Sequence, residues 1–325
     1  MNAGFADSVP GPRDAPASHG AGQENGVVVG IDAGGTATRV QAVRAGRLAW
    51  TGAGGPGNPL SADEQTVLAS YRAALDGCPA AAHVAACVAG TRSPAQHARI
   101  ARLLASLLPG AEVRVVPDYV GALLAAPEHT DACVVAGTGS VICSAPAGSD
   151  DETYPASGGR GWILGDHGSA ARLGRRALEH YVNDPAAVPA EFAAELSQVT
   201  GHAEPGQIVA AVNSAPDPAR LLARAAPLLT GAAEQGADWA IGHLDAEMSA
   251  LATATARHIA RYLRPPGGGG PVRVALAGGV WSSPVARSSF TGALDQYSAQ
   301  PVIVSRSAAD PVTGAVRLAA SMARS

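Results

Sequence analysis

The sequence predicts an α/β fold of two similar lobes around a ligand-binding cleft, and three observations predict it. A strand, a glycine turn and a second strand recur near residues 27–43 and 132–144; duplication of that kind builds paired lobes. Apolar runs of strand length alternate with helical-period segments through much of the remaining chain. At 325 residues, with 47% hydrophobic and 15% charged residues, the chain exceeds one typical domain and can fill two cores.

Residues 1–25 hold Gly, Pro, Ala and Ser with scattered charges and lack the apolar core of a signal peptide, so they read as a disordered tail. Order begins at Gly26. Val27–Asp32, Thr36–Val43 and Leu48–Thr51 form a β-meander whose first turn is Ala33-Gly34-Gly35. Ser61 is placed to cap a helix running to Leu75. A strand at Val84–Ala89, a helix at Pro94–Leu108, a strand at Val113–Val116 and a short helix at Asp118–Ala126 follow. Ala132–Ala136 and Ser140–Ser144 flank the second turn, Gly137-Thr138-Gly139. A helix begins at Ser169 with Leu173, Ala177 and Tyr181 on one face. From Asp184 to Gly236 the pattern is helical and loop-rich without resolvable boundaries. A long helix at Asp238–Arg264 carries a core stripe of Ile241, Leu244, Met248 and Leu251, and Pro265-Pro266 with four glycines ends it. Strands at Val272–Ala277 and Val302–Val304, a helix after Pro284 and a last helix at Asp310–Met322 close the chain. The expected lobes are 26–117, joined by the terminal helix 313–325, and 118–312.

Composition excludes several chemistries. All 23 basic residues are Arg. Without lysine there is no Walker A loop, no protein-kinase strand lysine and no Schiff base. A net charge of −4 gives no basic field for nucleic acid or an anionic membrane. No run reaches the ~18 apolar residues of a membrane span. Cys78, Cys87, Cys133 and Cys143 show neither CxxC nor zinc spacing and read as reduced thiols of a cytoplasmic protein.

Three glycine turns carry the chemistry. In Gly30-Ile31-Asp32-Ala33-Gly34-Gly35-Thr36, the glycines let backbone N–H groups approach a phosphate. Thr36 offers a hydroxyl, and Asp32 at the strand end can hold Mg²⁺ through water. Ala136-Gly137-Thr138-Gly139-Ser140 offers the same chemistry from the second lobe. Leu276-Ala277-Gly278-Gly279-Val280 stands between a strand and a helix, where a flat adenine could lie against backbone.

In this order the three turns resemble the phosphate-1, phosphate-2 and adenosine motifs of the actin/hexokinase/Hsp70 superfamily. Gly158-Gly159-Arg160-Gly161 and Gly165-Asp166-His167-Gly168-Ser169 resemble a narrower signature. It is that of the BadF/BadG/BcrA/BcrD family, which includes N-acetylglucosamine kinases. The resemblance runs from Val27 to Met322. It implies two ribonuclease-H-like lobes, ATP and Mg²⁺ as cofactors, and phosphoryl transfer to a small sugar, with N-acetylglucosamine or glucosamine as the expected acceptor. By resemblance, Asp118 in Pro117-Asp118-Tyr119 is the catalytic base, although Asp also suits a helix cap there. Asn58 matches the asparagine that holds sugar hydroxyls. Gly90-Thr91 matches the turn beside the sugar, and Asp166 the aspartate near it. Asp310-Pro311-Val312-Thr313-Gly314-Ala315 resembles the terminal Gly-Ala helix packed between lobes. Relatives are often dimers, which leaves room for a homodimer.

Two positions depart from the family pattern. His167 stands where Glu is usual, and Arg160 where many N-acetylglucosamine kinases carry Trp; the resemblance implies that both belong to the acceptor site. An Arg at a sugar site favours an anionic or hydroxyl-rich group over acetamide stacking; the same residue also suits a solvated surface. The alternative function is a BadF-type ATPase without sugar kinase activity, an activator or regulator, but such activators carry cluster-binding cysteines and regulators carry zinc cysteines or a helix-turn-helix. Gly52-Ala53-Gly54-Gly55-Pro56-Gly57 fits GxGxxG. It lacks the acidic strand end of a dinucleotide site about 20 residues later.

Overall fold

The computed structural model describes residues 26–146, 153–263 and 270–324. The expected tail, Pro265-Pro266 and the first glycines after them lie outside the described residues.

The first lobe opens with β1 (Val27–Ala33), β2 (Thr38–Arg44) and β3 (Arg47–Gly54). It continues with α1 (Glu64–Ala74), β4 (His83–Val88), α2 (Pro94–Leu107), β5 (Glu112–Pro117) and α3 (Asp118–Ala125). The second opens with β6 (Ala132–Ala136), β7 (Ser140–Ser144) and β8 (Ala156–Gly158). Seven helices follow: α4 (Gly161–Leu164), α5 (Ala170–Asn183), α6 (Ala190–Thr200), α7 (Pro205–Ser214), α8 (Pro218–Arg224), α9 (Ala226–Glu234) and α10 (Asp238–Tyr262). The chain closes with β9 (Val272–Ala277), α11 (Pro284–Tyr297), β10 (Val302–Arg306) and α12 (Pro311–Met322).

The duplication extends through whole sheets. The first sheet has the order β3-β2-β1-β4-β5 and the second β10-β9-β6-β7-β8. In both, the first three strands form an antiparallel meander and the last two add in parallel. Read from their first strands, the two orders are the same. Between the third and fourth strands the first lobe has only α1, whereas the second inserts α4–α10 and packs them into its larger core.

Several local readings need correction. The N-cap of α1 is Asp63, whose carboxylate accepts from the Thr66 amide at 2.9 Å. Ser61 instead lies in a turn, its amide bound to the Asn58 carbonyl, so the helix starts where a carboxylate can meet the free amides. The stretch 184–236 becomes a 3₁₀ turn at Pro185–Ala187 and helices α6–α9 of 7 to 11 residues. Such short helices carry too few turns for a clear period. The strand β8 is only Ala-Ser-Gly and has no apolar signature. In the GxGxxG stretch, Gly52 and Gly54 belong to β3, where a Cβ would lie 2.1 Å from the Ala74 carbonyl oxygen and 2.2 Å from that of Ser70. Those glycines serve the packing of α1 on the sheet.

The helices α3 and α12 run between the two sheets. Ala315, Leu318 and Ala319 of α12 pack with Val28, Ala85 and Cys87 of the first sheet, together with Val120 of α3. The other face of α3, Ala122 and Leu123, packs on Cys133, Cys143 and Ala275 of the second. Arg317 ties the pair further, donating to the carbonyls of Leu124 and Ala126. At their crossing the backbones touch: a Cβ on Gly314 would sit 1.9 Å from the Gly121 carbonyl oxygen. Gly314→Ala is therefore expected to destabilise the protein by about 1–3 kcal/mol, the usual cost of overpacking, read as a lower urea midpoint in equilibrium unfolding.

Candidate active site

A cleft of about 780 Å³ opens between the sheets. From the first lobe come Gly34 and Gly35 of the β1–β2 turn and Gly90 and Thr91 after β4, and from the start of α3, between the sheets, comes Asp118. The second lobe contributes Gly137, Thr138, Gly139 and Ser140, together with Arg160 and Asp166. Eleven sequence-predicted site residues, far apart in the chain, thus line one cavity.

Hydrogen bonds lock the first turn to its neighbours. The Gly34 amide donates to the Ala37 carbonyl at 2.9 Å, and the Gly34 carbonyl accepts from Gly57 and Asn58. The buried Thr38 hydroxyl donates to the Gly55 carbonyl. Asn58 is a half-buried neighbour of the lining rather than part of it: its Oδ1 accepts from the Leu60 amide at 2.8 Å and packs against Gly90. Thr91 lines the cleft, but its hydroxyl is spent on the Val88 carbonyl at 2.7 Å. Thr36 is exposed at the turn and outside the lining.

The second turn is held by helix α5. The amides of Ala170 and Ala171 donate to the carbonyls of Gly137 and Thr138 at 2.8 and 3.2 Å, and the Ser140 hydroxyl donates to the His167 carbonyl. Asp166 is 8% exposed and has φ 52°, a conformation that costs energy for a non-glycine residue and marks functional loops. Its Oδ1 accepts from the Gly161 amide at 3.2 Å. Its Oδ2 lies against Gly139. One carboxylate therefore pins the 158–161 loop to the second turn. Burial raises its pKa, while the amides of Gly161 and Arg160 and the charge of Arg92 pull it down.

Gly137 and Thr138 also line a second cavity of about 670 Å³, whose wall includes Gly279, Val280, Ser283, Arg224 and Pro227. The cleft thus continues past the second turn to the third. Gly278 has φ 107°, and a Cβ there would lie 2.3 Å from the Ala136 carbonyl oxygen; only glycine lets β9 close on β6 at this point.

Asp118 is the first residue of α3, and the cap position belongs to Pro117, so the cap reading of Asp118 gives way to a carboxylate facing the cleft. It is wet from the cleft mouth and ringed by protein on its other sides. That surround raises its pKa, opposed by the amides of Tyr119 and Asp118 and by Arg92. The push takes full effect when a ligand displaces the water. Asp32 is less open, its side chain 15% exposed. Burial, then the charges of Asp118 and Asp310, raise its pKa to about 6 against the pull of Arg39. Arg39 stands 3.8 Å from Asp32 and 4.0 Å from Asp310.

His167 lies outside the cleft lining. Its Nδ1 is 3.6 Å from Glu247 of α10, which places it behind the second turn rather than beside an acceptor. The sequence reading missed Glu247, Arg92 and Tyr119. Glu247 lies on the long helix α10 with its side chain 2% exposed. It accepts from Arg172 at 2.9 Å, from Arg176 at 3.1 Å and from the Gly168 amide at 3.3 Å. The signal was its spacing: Glu247 falls three residues after Leu244 and four before Leu251, on the buried face of α10. Arg92 directly follows the quoted Gly90-Thr91 turn, and adjacency was its only signal.

The sequence matches no protein-family model and no curated protein. The fold has many solved counterparts. A presumed N-acetylglucosamine kinase from Chromobacterium violaceum is 25% identical, with TM-score 0.64, 91% of this chain and 99% of that one covered. A presumed N-acetylglucosamine kinase from Porphyromonas gingivalis is 22% identical, with TM-score 0.63 and coverages of 89% and 97%. A ROK family glucokinase from Streptomyces griseus, solved with glucose and AMPPNP, is 16% identical, with TM-score 0.58 and coverages of 92% and 99%. The architecture is that of two-lobed sugar kinases in the actin/hexokinase/Hsp70 superfamily.

Glu247 predicts an acid response. Burial alone would raise its pKa, but the Arg172 hydrogen bond and charge, the Gly168 amide and Arg176 outweigh burial and lower it. A depressed folded pKa contributes stability above the ordinary 4.5, lost as pH falls through the folded value. Glu247→Gln should cost about 1.5–3 kcal/mol at pH 7. In chemical denaturation at stepped pH, its deficit against the parent protein should shrink below pH ~4.5.

Proposed function

We propose that this protein, which carries the fold of two-lobed sugar kinases, transfers the γ-phosphoryl group of ATP to a hydroxyl of a small sugar, most simply an amino sugar. One observation carries the reading: a single cavity brings two glycine turns from opposite lobes together with the Asp118 carboxylate. Facing backbone turns suit a polyphosphate, and a carboxylate beside them suits an acceptor hydroxyl.

The adenosine would occupy the second cavity, between Gly279-Val280 and the Arg224–Pro227 side, with its phosphates passing Gly137 and Thr138 into the cleft. Asp32 interacts electrostatically with Asp118 and Asp310, with Arg39 beside Asp32 and Asp310 and Arg92 acting on Asp118, so three carboxylates face two guanidiniums. That excess of negative charge fits a hydrated divalent cation, which Asp32 would hold through water. Mg²⁺ supplies charge neutralisation on the phosphates when bound.

The acceptor hydroxyl attacks the γ-phosphorus in line. A new oxygen–phosphorus bond forms, the bond to the ADP oxygen breaks, and the hydroxyl proton passes to Asp118. The raised pKa of Asp118 brings its proton affinity closer to that task. Closure of the lobes about α3 and α12 excludes water from the cleft. Asn58 and Arg160 stand on the acceptor side in this reading, with Gly90-Thr91 shaping the floor. The C. violaceum and P. gingivalis counterparts, with the residue pattern at 158–169, favour N-acetylglucosamine or glucosamine among sugars. Arg160, which lines the cleft, tilts that choice toward a hydroxyl-rich or charged acceptor.

The test is MgATP consumption against N-acetylglucosamine, glucosamine, N-acetylmannosamine, glucose and no sugar. Sugar-dependent ADP release is expected, with Asp118→Asn slowing kcat by roughly 10²–10⁴-fold. The acid limb of kcat/KM should lie above the ordinary aspartate value of 3.8. ADP release indifferent to every sugar would move the assignment to an ATPase of another kind.

A further inference from the structure

Arg92 enters the cleft from the loop between β4 and α2 and lines the same cavity as both glycine turns and Asp118. Its backbone is fixed: the Arg92 and Ser93 amides both donate to Gln96 Oε1, at 2.9 and 3.0 Å, within the capping box of α2. The side chain spans the cleft to the second lobe, where Nη2 lies 3.0 Å from the place a Cβ would occupy on Gly159. The Gly159 amide donates to the Ser140 carbonyl, so the guanidinium ends beside the strand that leaves the second turn. Among the described residues no ion pair holds it, and the residue is solvent-exposed in the open cleft.

Its charge acts on Asp118, Tyr119 and Asp166 alike. Asp118 stands on the acceptor side, whereas Asp166 presses against Gly139 of the second turn. Arg92 also lines one cavity with both glycine turns and Asp118, the space a group crosses between them. In a chain without lysine, charge stabilisation of a group in transit there falls to arginine. Arg also offers the planar fork that matches phosphate oxygens.

We infer that Arg92 is a catalytic residue that contacts the transferring γ-phosphoryl group from the first lobe. This rests on the kinase reading above and adds to it a side-chain contact on the phosphoryl oxygens, beside the backbone turns. Arg160 is left to the acceptor. The group transferred and the bonds made and broken are those already given; Arg92 takes no proton and neutralises charge on the equatorial oxygens.

Binding separates this inference from the kinase reading. With the full chain and Mg²⁺, ADP and AMPPNP are titrated calorimetrically into the parent protein and into Arg92→Gln and Arg92→Lys. The parent should bind AMPPNP more tightly than ADP. Arg92→Gln should lose about ten-fold of that advantage while ADP affinity and the unfolding midpoint stay unchanged, and Arg92→Lys should recover part of it. Sugar-dependent kcat should fall in Arg92→Gln with little change in sugar KM. Equal weakening of both nucleotides, or an unchanged AMPPNP advantage, would overturn the inference; so would a raised sugar KM as the only effect, which would place Arg92 against the acceptor. Failure of the parent to bind either nucleotide would instead refute the kinase reading.

Discussion

The backbone crossing of α3 and α12 sets the rest of the molecule. The Gly314 and Gly121 backbones meet where no side chain fits, so the helices approach more closely than side-chain-mediated packing allows. One face of the pair rests on the first sheet and the other on the second. The same helices begin at the cleft: α3 starts with Asp118, and α12 is capped by Asp310. The contact that joins the lobes therefore also sets Asp118 in the cleft lining and Asp310 near Asp32. A helix pair can pivot about such a contact without breaking the hydrogen bonds of either sheet, which suits a cleft that must open and close.

Electrostatics in the cleft follow from that placement. Asp32 ends a buried strand and shares its surroundings with Asp118 and Asp310. Arg39 stands beside Asp32 and Asp310 and Arg92 acts on Asp118, so three carboxylates face two guanidiniums. Across the cleft, Arg92 brings positive charge toward Asp118 and Asp166. Behind the second turn, Glu247 gathers Arg172, Arg176 and the Gly168 amide. That buried cluster ties the Asp166 loop to α10 and supports the turn through the N-terminus of α5.

His167 shows how a family pattern can mislead about contact. Its position in the GDHGS segment suggested an acceptor ligand, but the loop turns at Asp166, with φ 52°, and sends the next side chain toward Glu247. Arg160, the other departure, does line the cleft. The two substitutions therefore act on different layers of the site.

Much of the fold was legible in the residues. The strand–glycine–strand repeats, the apolar runs of β4, β6 and β9 and the helical stripes of α5 and α10 are local patterns that survive in a linear reading, except that Ile241 of the expected α10 stripe is exposed. The glycine turns could be found as sequence motifs; Gly139 and Gly278 have no room for a Cβ, whereas Gly34, Gly35, Gly137 and Gly279 do. The three-residue β8 was not legible, since its place depends on pairing with β7 rather than on its own apolarity. Nor were the short helices α6–α9, which form by packing into the core of the second lobe. Arg92, Tyr119 and Glu247 became site residues only through contacts distant in sequence; Arg92 reaches Gly159, and Glu247 reaches Arg172 and Gly168. Sequence by itself determined the repeated sheet, because burial periodicity writes directly into residue type, whereas Asp118 was singled out by family resemblance. Which charges meet across the cleft was decided by the tertiary structure alone, because those distances depend on how two separately folded sheets are set against one helix pair.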